Sequence, residues 1–274
     1  QLQQLREAEE SAGVKIYATG QPVLVGWAYT YMEQILQIFI FTVITMLALL
    51  LFHFRKAYGV LIPLGGVLVS TIWGLGIISL LGYNLDPLGL VIPFLIAARA
   101  MSHGVQLVER YYAETRELGS GPKAAKATFD SLFRPGSLGV VSDAIGLSLI
   151  AIGSIPLNTH LGIYASLWAI TVVFTVLLGV PLLLSILPTP KDPNLRETAL
   201  RHIGASCSRT VARPGAAKVV LSVAALAMAA GLLAASNVQI GDSEPGSPIL
   251  YPDHDYNVSS RVVNERFPGS EELY

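Results

Sequence analysis

Six long apolar runs broken by polar stretches set the pattern of this chain. Ile35–Phe54 stops at Arg55-Lys56, and Tyr58–Leu81 follows after a very short turn, carrying Pro63 and several glycines. The third run opens on Asp86, a good N-cap, with Pro87 at the first helical position, and stays mostly apolar up to Arg99. Ser137–Ile155 is entered after Arg134-Pro135-Gly136, and Leu161–Leu187 is ended by Pro188 and Pro190. Lys218–Ala235 is rich in the small residues that let helices approach closely. At a rise of about 1.5 Å per residue, each run reaches across the roughly 30 Å of a bilayer's hydrocarbon core. The pattern predicts an all-α polytopic membrane bundle of six transmembrane helices.

The stretches between the runs differ in kind. Residues 1–30 begin as QLQQLREAEESAGV, suited to the end of a surface helix, and Lys15–Thr19 then alternates as a strand closing at Gly20. Trp27, Tyr29 and Tyr31 fit an aromatic belt at the membrane surface. Glu109–Arg134 continues a helix, breaks at residues 119–122 (Gly-Ser-Gly-Pro) and resumes as an amphipathic piece, KAAKATFDSLF. The expected organisation is the end of a soluble domain at 1–30, a five-helix bundle at 31–187, a polar linker at 188–215 and a sixth span at 216–237. A second soluble domain is expected to start at 238–274, acidic and Pro-rich at first and then helical through VSSRVVNERF. A chain that starts at Gln1 and stops at Tyr274 inside such a segment is expected to be a piece of a longer protein.

Composition agrees with a membrane chain. Hydrophobic residues make up 52% and charged residues 14%, where a soluble domain carries about a quarter charged. The net charge of −1 hides an asymmetry: of the 18 lysines and arginines, thirteen fall in the loops at 55–57, 109–135 and 188–215 or, as Lys218, at the adjoining start of the sixth run, four lie near the chain ends, and Arg99 stands within a span. That bias places those loops in the cytoplasm and both end segments outside. Cys207 is the single cysteine, so no internal disulfide forms and no metal-ligand spacing exists. No phosphate loop or nucleophile triad is present, so enzyme chemistry, cofactors and nucleic-acid partners find no support.

The chemistry that stands out is intramembrane. Arg99, Ser102, His103 and Gln106 follow one another at offsets 0, 3, 4 and 7, on one face of a helix. Ionisable groups inside a span are costly and face a protein interior or a water path. Two readings stand side by side, an ion pathway and a structural polar pair that locks two helices together. Asp143 lies seven residues in from Gly136, about 10 Å deep, and Arg99 lies 13 residues in from Asp86, about 20 Å from the opposite face. In a core of about 30 Å the two depths coincide, so an Arg99–Asp143 pair is expected. His103, one turn further, is the best single proton carrier, with Ser102 and Gln106 completing a hydrogen-bonded path. His53 reads as interfacial and His160, His202 and His254 as ordinary surface histidines. Asn257-Val258-Ser259 forms a glycosylation sequon that matters only in a secretory host.

GYNLDPLGLVIPFLIAARAMSHGVQLVERYYAE, GVVSDAIGLSLIAIGSIP and LGIYASLWAITVVFTVLLGVPLLLSILP together resemble helices four to six of the resistance-nodulation-division superfamily of transporters, in its hydrophobe or lipid exporter branch. YATGQPVL resembles the end of that family's first extracytoplasmic domain, and SPILYPDHDYNVSSRVVNERFPGSEELY the opening of its second. The resemblance implies helices two to seven of a twelve-helix, two-repeat protein, with pieces of two α/β domains at the ends. It also implies export of hydrophobic or lipid-like molecules from a bacterial inner membrane, driven by the proton-motive force. The partners it implies are membrane lipids, the substrate, the second half of the same chain and a possible homo-oligomer. One departure matters: Ser102 stands where the family's fourth helix carries its titrating carboxylate, His103 replaces the following tyrosine, and Arg99 has no counterpart. The titrating role then has to fall elsewhere. The alternatives are a lipid-binding or sensing protein with the same bundle and no proton transport, and a membrane scaffold.

Overall fold

The computed structural model describes residues 2–11, 13–84, 89–191, 204–209, 213, 215–238 and 246–267. Along the chain come α1 (Leu2–Glu9), α2 (Gln21–Thr30), α3 (Met32–Phe54), α4 (Ala57–Leu80) and α5 (Val91–Leu118). Then follow α6 (Gly121–Leu149), α7 (Pro156–Val172), a π-helical turn (Val173–Leu178), α8 (Gly179–Ile186), α9 (Ala216–Ala235) and α10 (Asp255–Arg266). Among the described residues six helical stretches are long and apolar enough to cross a membrane, and among these same residues no strand forms. The chain divides into two compact units, 38–203 and 1–37 with 204–274.

In the unit at 38–203, α4 packs on α5 and α7, and α6 packs on α5, α7 and α8. The inward side of α4 is Gly59, Ile62, Pro63, Gly66, Ser70, Gly74 and Ile78, a stripe at helical spacing made largely of small residues. A Cβ at Gly74 would run into the indole of Trp168, and one at Gly104 would sit 3.1 Å from Pro63 Cα, so these two glycines set how closely the helices approach. Trp168, Tyr164, Tyr112, Leu107 and Val176 fill the fully buried centre. Ser70 and Thr171 join hydroxyls there at 3.1 Å, a polar link between α4 and α7. Outward, Leu68, Ile72 and Trp73 on α4 and Ile145 and Leu149 on α6 are exposed. A bundle whose outside is as apolar as its inside is built for lipid rather than water.

Several boundaries move from their expected places. The amphipathic piece and the span at Ser137–Ile155 are one helix, α6, running through Pro135. Proline removes a single backbone bond, and packing of α6 along α7 and α8 outweighs that loss. The break at 119–122 forms as expected: Gly119 takes the left-handed conformation (φ 63°) that ends α5, and Pro122 stands in the first turn of α6. The expected Leu161–Leu187 span starts at Pro156 and carries a π turn in which Thr175 donates its hydroxyl to Thr171 O at 2.9 Å. Asp86 and Pro87 lie outside the described residues, and α5 is described from Val91.

In the other unit, residues near the two chain ends touch. Arg6 pairs with Asp255 and donates from Nε to Ile16 O at 3.1 Å, while Thr19 Oγ1 and Ser260 Oγ lie 2.8 Å apart. The expected strand at Lys15–Thr19 is irregular chain; beside it is an isolated bridge between Ser11 and Val14. Alternation alone does not make a strand without a second strand to pair with, and here side chains take the backbone groups instead: Ile16 N donates to Glu10 Oε1 at 3.0 Å and Ile16 O accepts from Arg6 Nε. The α/β character expected of the end segments is therefore absent from the described residues, which are helical or irregular there.

Candidate functional site

The polar face of α5 meets α6. Arg99 Nε donates to Asp143 Oδ2 at 2.6 Å, the pairing that the two depths predict. The guanidinium also lies beside Gly139, one turn before Asp143, where a Cβ would make ordinary contact with Nη2 at 3.5 Å. Arg99 and Asp143 keep 45% and 40% of their side-chain surface open, so the pair borders a groove rather than a sealed core. That groove has a volume of about 470 Å³ and, apart from Ser142, is otherwise walled by apolar groups such as Leu95, Ile96, Val140 and Val172. Weak hydration in such a setting strengthens the attraction between the two charges.

His103 stands one turn along α5 and faces differently. Its Nε2 is buried and has no hydrogen-bond partner among the described residues. A cavity of about 170 Å³ is lined by His103 and Gln106 on α5, Pro135 and Gly136 on α6, and Leu177 of the π turn. Gln106 Nε2 in turn donates to Ser102 Oγ at 3.4 Å, a long bond between two exposed groups. The structure thus brings Arg99 to Asp143 and Gln106 to Ser102, and places His103 with Gln106 at one cavity. His103 makes no hydrogen bond to Asp143, so the five residues form two neighbouring clusters rather than one continuous chain.

Sequence reasoning missed a third polar contact on this face. Glu109 Oε1 lies 2.6 Å from His53 Nε2, joining the end of α3 to α5. Continuing the helical series from Gln106 by three residues reaches Glu109, but its partner lies 56 residues away and only packing reveals it. His254 is no ordinary surface group either: its Nδ1 accepts from Tyr256 N at 3.1 Å, and its Nε2 lies 2.9 Å from Tyr31 Oη. His160 stacks on Tyr83 with ring centres 4.3 Å apart. His202 lies outside the described residues. Asn257 is buried, and its amide donates to the carbonyls of Ser247, Leu250 and Tyr251, so the sequon's acceptor is occupied by the fold. Among the described residues no three His, Cys, Asp or Glu side chains gather as a metal site.

No family model matches the chain. It is similar to a protein of Methanocaldococcus jannaschii whose own name goes no further than membrane protein, at 28% identity over 183 residues. The match takes in 64% of this chain and 46% of that relative, so the chain spans about half the length of the curated relative it matches. With six helical stretches able to cross a bilayer, the similarity points the same way. The chain is a membrane protein.

Proposed function

We propose that this chain belongs to an exporter of hydrophobic or lipid-like molecules, of the resistance-nodulation-division type, driven by the proton-motive force in a bacterial inner membrane. The observation that carries the reading is the Arg99–Asp143 pair on two membrane-crossing helices, with a histidine one turn away whose buried Nε2 has no hydrogen-bond partner among the described residues. A lone arginine at that depth costs several kcal/mol, and pairing offsets this without adding net charge. His103 is then the titratable group on this face left to gain and lose a proton. A cavity of about 170 Å³ has room for a few waters, which His103 and Gln106 would hold and along which a proton would pass. In this reading the membrane half moves in response to the proton, and soluble domains outside handle the substrate. A second half of the same chain completes the bundle, lipids surround it, and copies assemble as a homo-oligomer.

The test uses the full-length protein in vesicles holding a pH-sensitive dye. An imposed pH gradient should drive protons through the wild type, and His103→Gln should reduce the flux to that of protein-free vesicles while melting like the wild type. Ser102→Asp in that background should restore part of it by returning an acid to the face. Unchanged flux and pH profile in His103→Gln would overturn the relay. The reading left ahead would be a lipid-binding or sensing protein, which Ser102 at the resemblance's carboxylate position favours.

A further inference from the structure

A second groove lies apart from the polar face of α5, between the first turns of α6 and α8. It has a volume of about 260 Å³; Phe129, Leu178, Pro181 and Leu182 form its apolar wall, and Lys126 and Ser185 are its polar members. One end falls where α6 begins and α8 stops, and there Gly121 N donates to Thr189 Oγ1 at 3.1 Å. The other end runs along the outward helix faces, where Leu182 is more than half exposed.

Three features of the α6 end are positive. Lys123 and Lys126 stand three residues apart on one helix face, both exposed, and Lys191 follows Thr189 by two residues. Ser120 provides no side-chain cap to α6; Gly121 N is taken by Thr189 and Pro122 has no N–H, so what the helix start offers an anion is the positive end of its dipole. The opposing acid is Asp130, which accepts from Lys126 Nζ at 2.5 Å in a solvent-open pair of the kind that contributes little. At 29 residues α6 is about 43 Å long, which exceeds the roughly 30 Å core and carries its first turns into the headgroup layer.

We propose that this groove holds an anionic phospholipid of the adjacent leaflet, its phosphate at Lys123, Lys126 and the start of α6, and one acyl chain along Phe129, Leu178 and Leu182. The match is one of charge and polarity together. A neutral lipid leaves the lysines unused, and a free phosphate leaves the apolar wall unused. Basic pockets between membrane helices near the surface bind anionic headgroups by this combination. The proposal rests on the chain spanning a membrane and not on proton coupling, so failure of the relay test leaves it standing.

The experiment places an indole in the groove of the full-length protein, by Phe129→Trp and separately by Leu182→Trp, and measures added quenching by tail-brominated phosphatidylglycerol against tail-brominated phosphatidylcholine. Phosphatidylglycerol is expected to quench at lower mole fraction. Lys123→Gln with Lys126→Gln should reduce that preference by about fivefold per lysine, roughly 25-fold together. Arg116→Gln with Arg134→Gln removes the same charge from the same side outside the groove and should leave most of the preference. Millimolar inorganic phosphate should not displace the lipid. Equal quenching by both lipids at both positions overturns the proposal, as does an equal loss of preference in the arginine variant. Displacement by phosphate alone would also overturn it, because the apolar wall would then play no part.

Discussion

At the scale of single residues, the Arg99–Asp143 pair decides what the α5 face can tolerate. Asp143→Asn keeps the shape and removes the charge, so the guanidinium stays in an apolar groove without its counter-ion. Loss of one partner there is expected to destabilise the protein by about 2–4 kcal/mol. Arg99→Leu combined with Asp143→Leu removes both charges and should recover most of that stability but no proton flux. Thermal melts of the full-length protein in detergent, read beside vesicle flux, check both halves of the expectation. An Asp143→Asn protein as stable as wild type would mean that the pair contributes nothing to the fold. The same scale shows how a local pattern can mislead. Asn257 satisfies a sequon in the sequence, yet its side chain ties down three carbonyls of the 247–251 segment.

At the scale of helices, close approach is set by a few missing side chains. Gly74 and Gly76 are two residues apart on α4 and face opposite environments: one meets the indole of Trp168, the other has nothing within 4 Å. Gly74→Ala should therefore lower stability by about 1–3 kcal/mol through overpacking against a ring that cannot retreat. Gly76→Ala should be neutral or stabilising by up to about 1 kcal/mol, because alanine is the better helix former. Melting both variants side by side tests the α4–α7 packing directly, and equal melting temperatures would contradict it. The helix ends obey local rules more than the helix middles do. Gly119 and Pro122 mark the turn between α5 and α6 as their chemistry requires, whereas Pro135 fails to break α6 because neighbouring helices hold it in place.

At the scale of the whole molecule, the lysine and arginine bias predicts a topology that labelling can read. Glu117→Cys beside the α5–α6 turn should resist an impermeant thiol reagent applied to intact cells, and Tyr251→Cys before α10 should react; both sites are exposed. The native Cys207 is exposed and is expected to share the protection of Glu117→Cys once cells are intact. Reaction at Glu117→Cys from outside would reverse the orientation. Span number and approximate limits were legible in the sequence because a helix able to cross a bilayer must carry its apolar character in one continuous run. The Arg99–Asp143 pair was legible for a related reason: rise per residue converts sequence position into depth, and two opposite charges at one depth on neighbouring spans have few other partners. What tertiary structure alone decided were contacts between residues distant in the chain. These include His53 with Glu109, Tyr31 with His254, and Thr19 with Ser260. The division of the α5 face into an ion pair and a separate histidine cavity belongs with them, since that cavity exists only where α6 and the π turn close around His103. Depth is a property of one helix and can be counted; a cavity or a cross-helix bond depends on how several helices rotate and kink, which no single segment records.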